Sequence, residues 1–130
     1  MSNYTFGVTV DDDFDLVIDR VTGALAEEGF GVLTTIDVQA TMKQKLDIAR
    51  DPYVILGACN PPLANQAITA EPSIGALLPC NVVVRQAGDH VAVHFMDPKA
   101  VLNLAEHPDV PMLADEVRSR LERVAAAIGG

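Results

Sequence analysis

The run from Tyr53 to Cys59, YVILGAC, contains no charged residue. A strand of this composition has no side suited to water, so it belongs near the middle of a sheet with both faces covered. Past it the chain is broken by Pro61, Pro62, Pro72, Gly75 and Pro79, and a second apolar, β-branched run follows from Leu77 to Arg85. Cys59 closes the first run, Cys80 lies near the start of the second, and each is followed by asparagine. Both Cys-Asn pairs therefore fall at strand ends, where chains tend to display functional groups.

The flanking segments decide what this pair of strands is built into. Tyr4, Phe6, Val8 and Val10 alternate with polar or small residues, as in a strand with one buried face. Asp11, Asp12 and Asp13 favour a helix start, and Phe14, Val17, Ile18, Val21 and Leu25 recur at helical spacing up to Gly29. Val32, Thr34, Ile36 and Val38 alternate as one face of a further strand, and Ala40 to Leu46 suits a short helix with Met42 and Leu46 on one side and Lys43 and Lys45 outward.

Asn60 is placed to cap a helix opened by Pro61 and Pro62, buried along Leu63, Ala64, Ala67 and Ile68 and stopped by Pro72. Gly88-Asp89 predicts a tight turn into a hairpin with Val91 to Met96. Asp97-Pro98 opens a short helical stretch through Leu104, and Pro108 and Pro111 mark an irregular approach to the last helix, whose stripe is Leu113, Val117, Leu121, Val124 and Ile128. The order predicts an α+β fold: an antiparallel sheet with β-α-β4-α order and two long helices on one face. The other face is left to the short helices, a second subunit or solvent, and the apolar run at Tyr53 argues against solvent.

At 130 residues the chain suits a single domain, residues 1–130, with a core large enough to need no staples. Its formal net charge of −9 repels phosphate backbones and anionic bilayers, so neither nucleic acid nor membrane is expected as a partner. The first residues, MSNYTFGVTVDDDFD, have neither the basic nor the apolar region of an export signal, which points to a cytoplasmic protein with two reduced thiols.

Three stretches carry a family resemblance: GFGVLTTIDVQATMKQKL, ILGACNPPLANQAITAEPSIGALLPCNVVV and MDPKAVL. The sequence resembles DUF302, a family without an assigned biochemical function, over roughly residues 5 to 104. Its most specific parts are Asn60-Pro61 with Leu63-Ala64, Glu71-Pro72, Leu78-Pro79 and Asp97-Pro98. The resemblance implies a β-α-β4-α arrangement of the TATA-binding-protein-like kind, often as a homodimer, and no catalytic residues. That likeness is one of fold, and the acidic composition separates it from DNA binding.

The residues to test as a ligand site are Cys59, Asn60, Cys80, Asn81 and Glu71. Antiparallel neighbours would bring the two cysteines to one end of the sheet, and a helix starting after Asn60 offers positive potential to a Cys59 thiolate or an anion. A metal needs three or four ligands, so Cys59 and Cys80 would require His94, Glu71, Asp97 or a second subunit. Set against these readings, free cysteines are often inert core residues, and His94 alternates with Val93 and Phe95 as an ordinary face residue. His90 and His107 read as solvated. The expected function is a small-ligand or metal-responsive binding domain; the alternatives are a thiol-dependent enzyme or redox protein using Cys59 or Cys80, and a structural accessory subunit without ligand. The sequence does not identify a cofactor.

Overall fold

Strands β1 (Thr5–Val10), β2 (Gly31–Asp37), β3 (Tyr53–Cys59), β4 (Cys80–Ala87) and β5 (His90–Met96) form one sheet in the order β1-β5-β4-β3-β2. Every neighbouring pair is antiparallel in this computed structural model, which describes residues 2–129. The apolar run Tyr53–Cys59 is paired on both sides, as its composition demands, and β4 occupies the centre.

Helices α1 (Phe14–Glu27) and α5 (Val110–Gly129) touch each other and cover one face of the sheet. Val17, Val21 and Leu25 of α1 and Leu121 and Val124 of α5 close over Leu56, Val82, Val84 and Phe95. Each such side chain stabilises the fold by about 1.5–3 kcal/mol on leaving water. Asp13 holds the N-cap position of α1 without a side-chain bond, so the acidic run acts through its charge near the helix start rather than by capping. Helix α3 (Pro61–Ala70), a 3-10 turn (Pro72–Leu77), and α4 (Pro98–Val101) with its 3-10 extension (Leu102–Ala105) form a second cluster around Ile74, Leu102, Val110 and Ala114.

Three boundaries differ from those read in the sequence. Helix α5 begins at Val110 instead of Leu113, because a proline at position 111 fits the first turn, where its missing N–H is not needed. Strand β4 begins at Cys80 instead of Leu77: residues 72–77 are wound as a 3-10 turn, and Pro79 has no N–H to give to a ladder. The third difference reorders a surface. In β2 the register with β3 shifts between Val32, opposite Ala58, and Thr34, opposite Gly57. This bulge at Leu33 changes the phase of the strand, so Val32 faces the helices while Thr34 and Ile36 face away. Val38 then begins α2 (Val38–Leu46), which Asp37 caps by accepting a hydrogen bond from the Ala40 N–H at 2.9 Å.

The two sides of β4 define the two sides of the molecule. Cys80, Val82 and Val84 are buried beneath helices, whereas Asn81 is exposed and Val83 and Arg85 are half-buried on the opposite, open face. By register, Val83 lies between Ile55 and His94, and Arg85 between Tyr53 and Ala92.

Candidate functional site

A small pocket lies where β3 ends and α3 begins. Cys59, Asn60, Cys80, Phe30, Leu78 and Val117 are among its lining residues, and its volume is about 30 Å³. The local sequence explains the placement. Apolar β3 runs to Cys59, Asn60 turns the chain, and Pro61 and Pro62 enter the helix where amide hydrogens have no partner to lose. Asn60 is 6% exposed; its Oδ1 accepts from the Leu63 N–H at 3.2 Å and its Nδ2 donates to the Glu28 carbonyl at 3.5 Å. Arg120 donates to the same carbonyl at 3.0 Å. Gly29, at φ +85°, follows that carbonyl, and a Cβ there would meet the Asn60 amide at 2.9 Å. The expected cap is thus present, and it also ties α3 to the turn after α1.

The two cysteines share an end of the sheet and differ in face. Cys80 is opposite Ala58, one residue out of step with Cys59, so side-chain alternation directs Cys80 toward the helices and Cys59 toward the open face. Both contribute to the lining of the pocket, and both are free thiols. Burial, with a smaller contribution from nearby Cys59, pushes the Cys80 thiol up to about 12, which keeps it protonated and unreactive at neutral pH. Asn81 lies opposite Gly57 and is exposed on the open face. The pocket therefore gathers Cys59, Asn60 and Cys80 and leaves Asn81 out.

The remaining candidates are dispersed. Glu71 ends α3 and accepts from the Ser73 hydroxyl at 3.3 Å. Asp97 caps α4 through the Lys99 N–H at 2.9 Å and receives Arg118 at 2.6 Å, an ion pair that binds α5 to the end of β5. His94 sits on the open face, where its Nε2 accepts from Arg85 Nε at 2.9 Å. Among the described residues no group of three His, Cys, Asp or Glu side chains is gathered to hold a metal ion. His90, read as solvated, is exposed yet lies between Asp11 and Asp89, while half-buried His107 accepts from the Asp109 N–H at 3.1 Å.

The family described as "Domain of unknown function DUF302" matches residues 6–128. The chain belongs to the DUF302 family. Among solved structures it is similar to the crystal structure of an uncharacterized conserved DUF302 protein from Bacillus stearothermophilus. That relative is 26% identical, the match covers 98% of this chain and 99% of the other, and the TM-score is 0.90. No curated protein matches. The α+β architecture is thus that of a DUF302 protein, and no helix among the described residues is long and apolar enough to cross a membrane.

For this DUF302 chain, sequence reasoning found the polar corner of the pocket and missed its apolar walls. Phe30, Leu78, Leu102 and Val117 come from four separate segments, and each reads locally as ordinary core. Arg85, a single arginine ending the run VVVR in the central strand, was not singled out in the sequence.

Proposed function

We propose that the domain binds a small molecule, with the pocket between Cys59, Asn60 and Cys80 as its site. The observation that carries this reading is the joint lining by three of the five ligand candidates at one strand-to-helix corner. A volume of about 30 Å³ admits one small group, since a single water needs roughly 10–15 Å³, so the ligand inserts an apolar end such as a methyl and leaves its remainder outside. The dispersal of His94, Glu71 and Asp97 favours an organic ligand over a metal ion, and the protonated Cys80 favours binding over thiol chemistry. A cytoplasmic location, where both thiols stay reduced, fits this role.

Native mass spectrometry of gently purified protein tests the reading, with Ala64→Leu as the partner measurement because Ala64 lines the pocket. A retained organic mass in the wild type that disappears in Ala64→Leu is expected. An adduct retained equally by both proteins, or none in either, sinks the reading.

We also infer that the working form is a homodimer joined along the β2 edge. Leu33, Ile36, Leu46 and Ile48 are 66%, 48%, 60% and 47% exposed, all from β2 and the α2 segment beside it. β2 is an edge strand without lysine or proline, the residues that usually block edge pairing. Light scattering is expected to give a dimer for the wild type and a monomer for Ile36→Lys; a wild-type monomer overturns this inference.

A further inference from the structure

The open face of the sheet carries a group that neither the core nor the pocket uses. Arg85 stands on the central strand of a chain with 18 acidic and 9 basic residues, yet among the described residues it has no carboxylate partner. Arg20, Lys43, Lys99, Arg118, Arg120 and Arg123 all pair with Asp or Glu. Arg85 instead donates Nε to His94 Nε2 at 2.9 Å. Arginine cannot accept, so Nε2 is the acceptor and the neutral ring carries its proton on Nδ1. The pair thus has the Nδ1–H and the two terminal amino groups of the guanidinium to offer elsewhere, and no bond from them to a described residue is present.

Register describes the ground around it. Thr9, Ala92 and Arg85 form one row across β1, β5 and β4, and Gly7, His94 and Val83 form the next. Alternation puts both rows on the open face. Gly7 is exposed whereas Ala92 is buried, so the open ground lies over Gly7 and beside His94. At Gly7 a side chain is not admitted at all, because its Cβ would run into the Val93 carbonyl. A groove of about 550 Å³ runs along β1, lined by Ser2, Thr5, Gly7 and Thr9 among others, and reaches the pair through His94. Hydroxyl groups therefore stand along β1 and His94 stands opposite them, with Arg85 joined to His94 from β4.

We propose that the Arg85–His94 pair and the groove over Gly7 form a binding site for a small carboxylate. The flat, two-pronged guanidinium fits a carboxylate with two parallel hydrogen bonds, and among the described residues no carboxylate pairs with it. His94 Nδ1–H and the Thr9 hydroxyl add donors along the groove, and the ligand's body lies over Gly7. Burial and the charge of Arg85 hold His94 below the usual imidazole range in the empty protein. A bound carboxylate opposes that effect, so binding takes up a proton as pH falls toward the His94 midpoint. The site lies on the opposite side of the sheet from the pocket at α3 and does not depend on that pocket being occupied.

The test is a titration of the full-length protein with sodium benzoate, with inorganic phosphate and sodium chloride at matched ionic strength, followed by NMR of the His94 ring and the Arg85 Nε–H. Benzoate is expected to shift both signals saturably and to raise the His94 midpoint, while His90 keeps its own. Arg85→Gln is expected to weaken benzoate by about tenfold or more, as for loss of a charge-assisted bond, and Arg85→Lys to restore it only in part. Thr9→Val gives a second measurement that leaves the pair intact, with weakening of a few fold expected. Equal response to chloride, tighter binding of phosphate than benzoate, or undiminished binding in Arg85→Gln overturns the proposal. Ala64→Leu leaves benzoate binding unchanged, so failure here and failure of the pocket reading are told apart.

Discussion

Cys59-Asn60 and Cys80-Asn81 are the same dipeptide at the same end of the sheet, and the structure uses them in opposite senses. In the first pair the asparagine is buried and the cysteine is half-buried toward the open face; in the second the cysteine is buried and the asparagine exposed. The cause is one residue of register. Cys80 is opposite Ala58 instead of Cys59, and in a strand a step of one exchanges the faces of the sheet. A repeated motif therefore implies equivalent chemistry only after its phase against the partner strand is known.

The largest effects expected from breaking the contrast are on the cysteines. Cys80→Ser places a hydroxyl without a partner in the core and is expected to cost about 1–3 kcal/mol of stability in urea. Cys59→Ser is expected to stay within about 0.5 kcal/mol. Equal losses at the two sites would contradict the assignment of faces. The asparagines should show the reverse ranking: Asn60→Ala removes a helix cap and costs about 1 kcal/mol, while Asn81→Ala falls within about 0.5 kcal/mol.

Alkylation sharpens the same comparison without altering the chain. Iodoacetamide applied to native protein is expected to label Cys59 well before Cys80, whose thiol is buried and raised to about 12. Mild oxidation should leave both thiols free, because their side chains leave the sheet on opposite faces. Peptide mapping of the labelled sites checks both outcomes; rapid labelling of Cys80, or a Cys59–Cys80 disulfide formed without unfolding, would mean that the pocket opens far more than the static geometry implies.

What was legible in the sequence was set by local periodicity. The stripe Val17, Val21 and Leu25, the hairpin turn at Gly88-Asp89 and the Asn60 cap each depend on residues close in the chain, and each stands where the pattern placed it. What was illegible depends on pairing between distant segments. The bulge at Leu33 is invisible in GVLTTID because an unbroken alternation reads equally well, and only the pairing with Gly57 and Ala58 sets the phase. The offset between the cysteines has the same origin. So has the Arg85–His94 pair, whose members lie across a hairpin, with β1 from the far end of the chain beside His94.

The smallest expected effect tests whether position along one face matters as much as choice of face. His90 and His94 belong to the same strand and the same face, four residues apart, but their surroundings push them in opposite directions. The hydrogen bond and charge of Asp11, with help from Asp89, raise His90 above the usual imidazole value of 6.5. Burial, then Arg85, lowers His94 below it. A group with a raised folded pKa lends stability that is complete below pH 6.5 and is lost as pH rises through the folded value; a histidine with a lowered one lends stability that is complete above pH 6.5 and is lost as pH falls through the folded value. The two contributions therefore act on opposite sides of pH 6.5, and the stability of the wild type is expected to rise with pH up to about 6.5 and to fall above it. Asp11→Asn is expected to reduce only the first, lowering the His90 midpoint in an NMR titration, leaving His94 in place and flattening the fall of stability above pH 6.5 while the rise below it remains. Movement of both midpoints together would show that the two histidines titrate as one coupled system and that the ends of the open face are not independent.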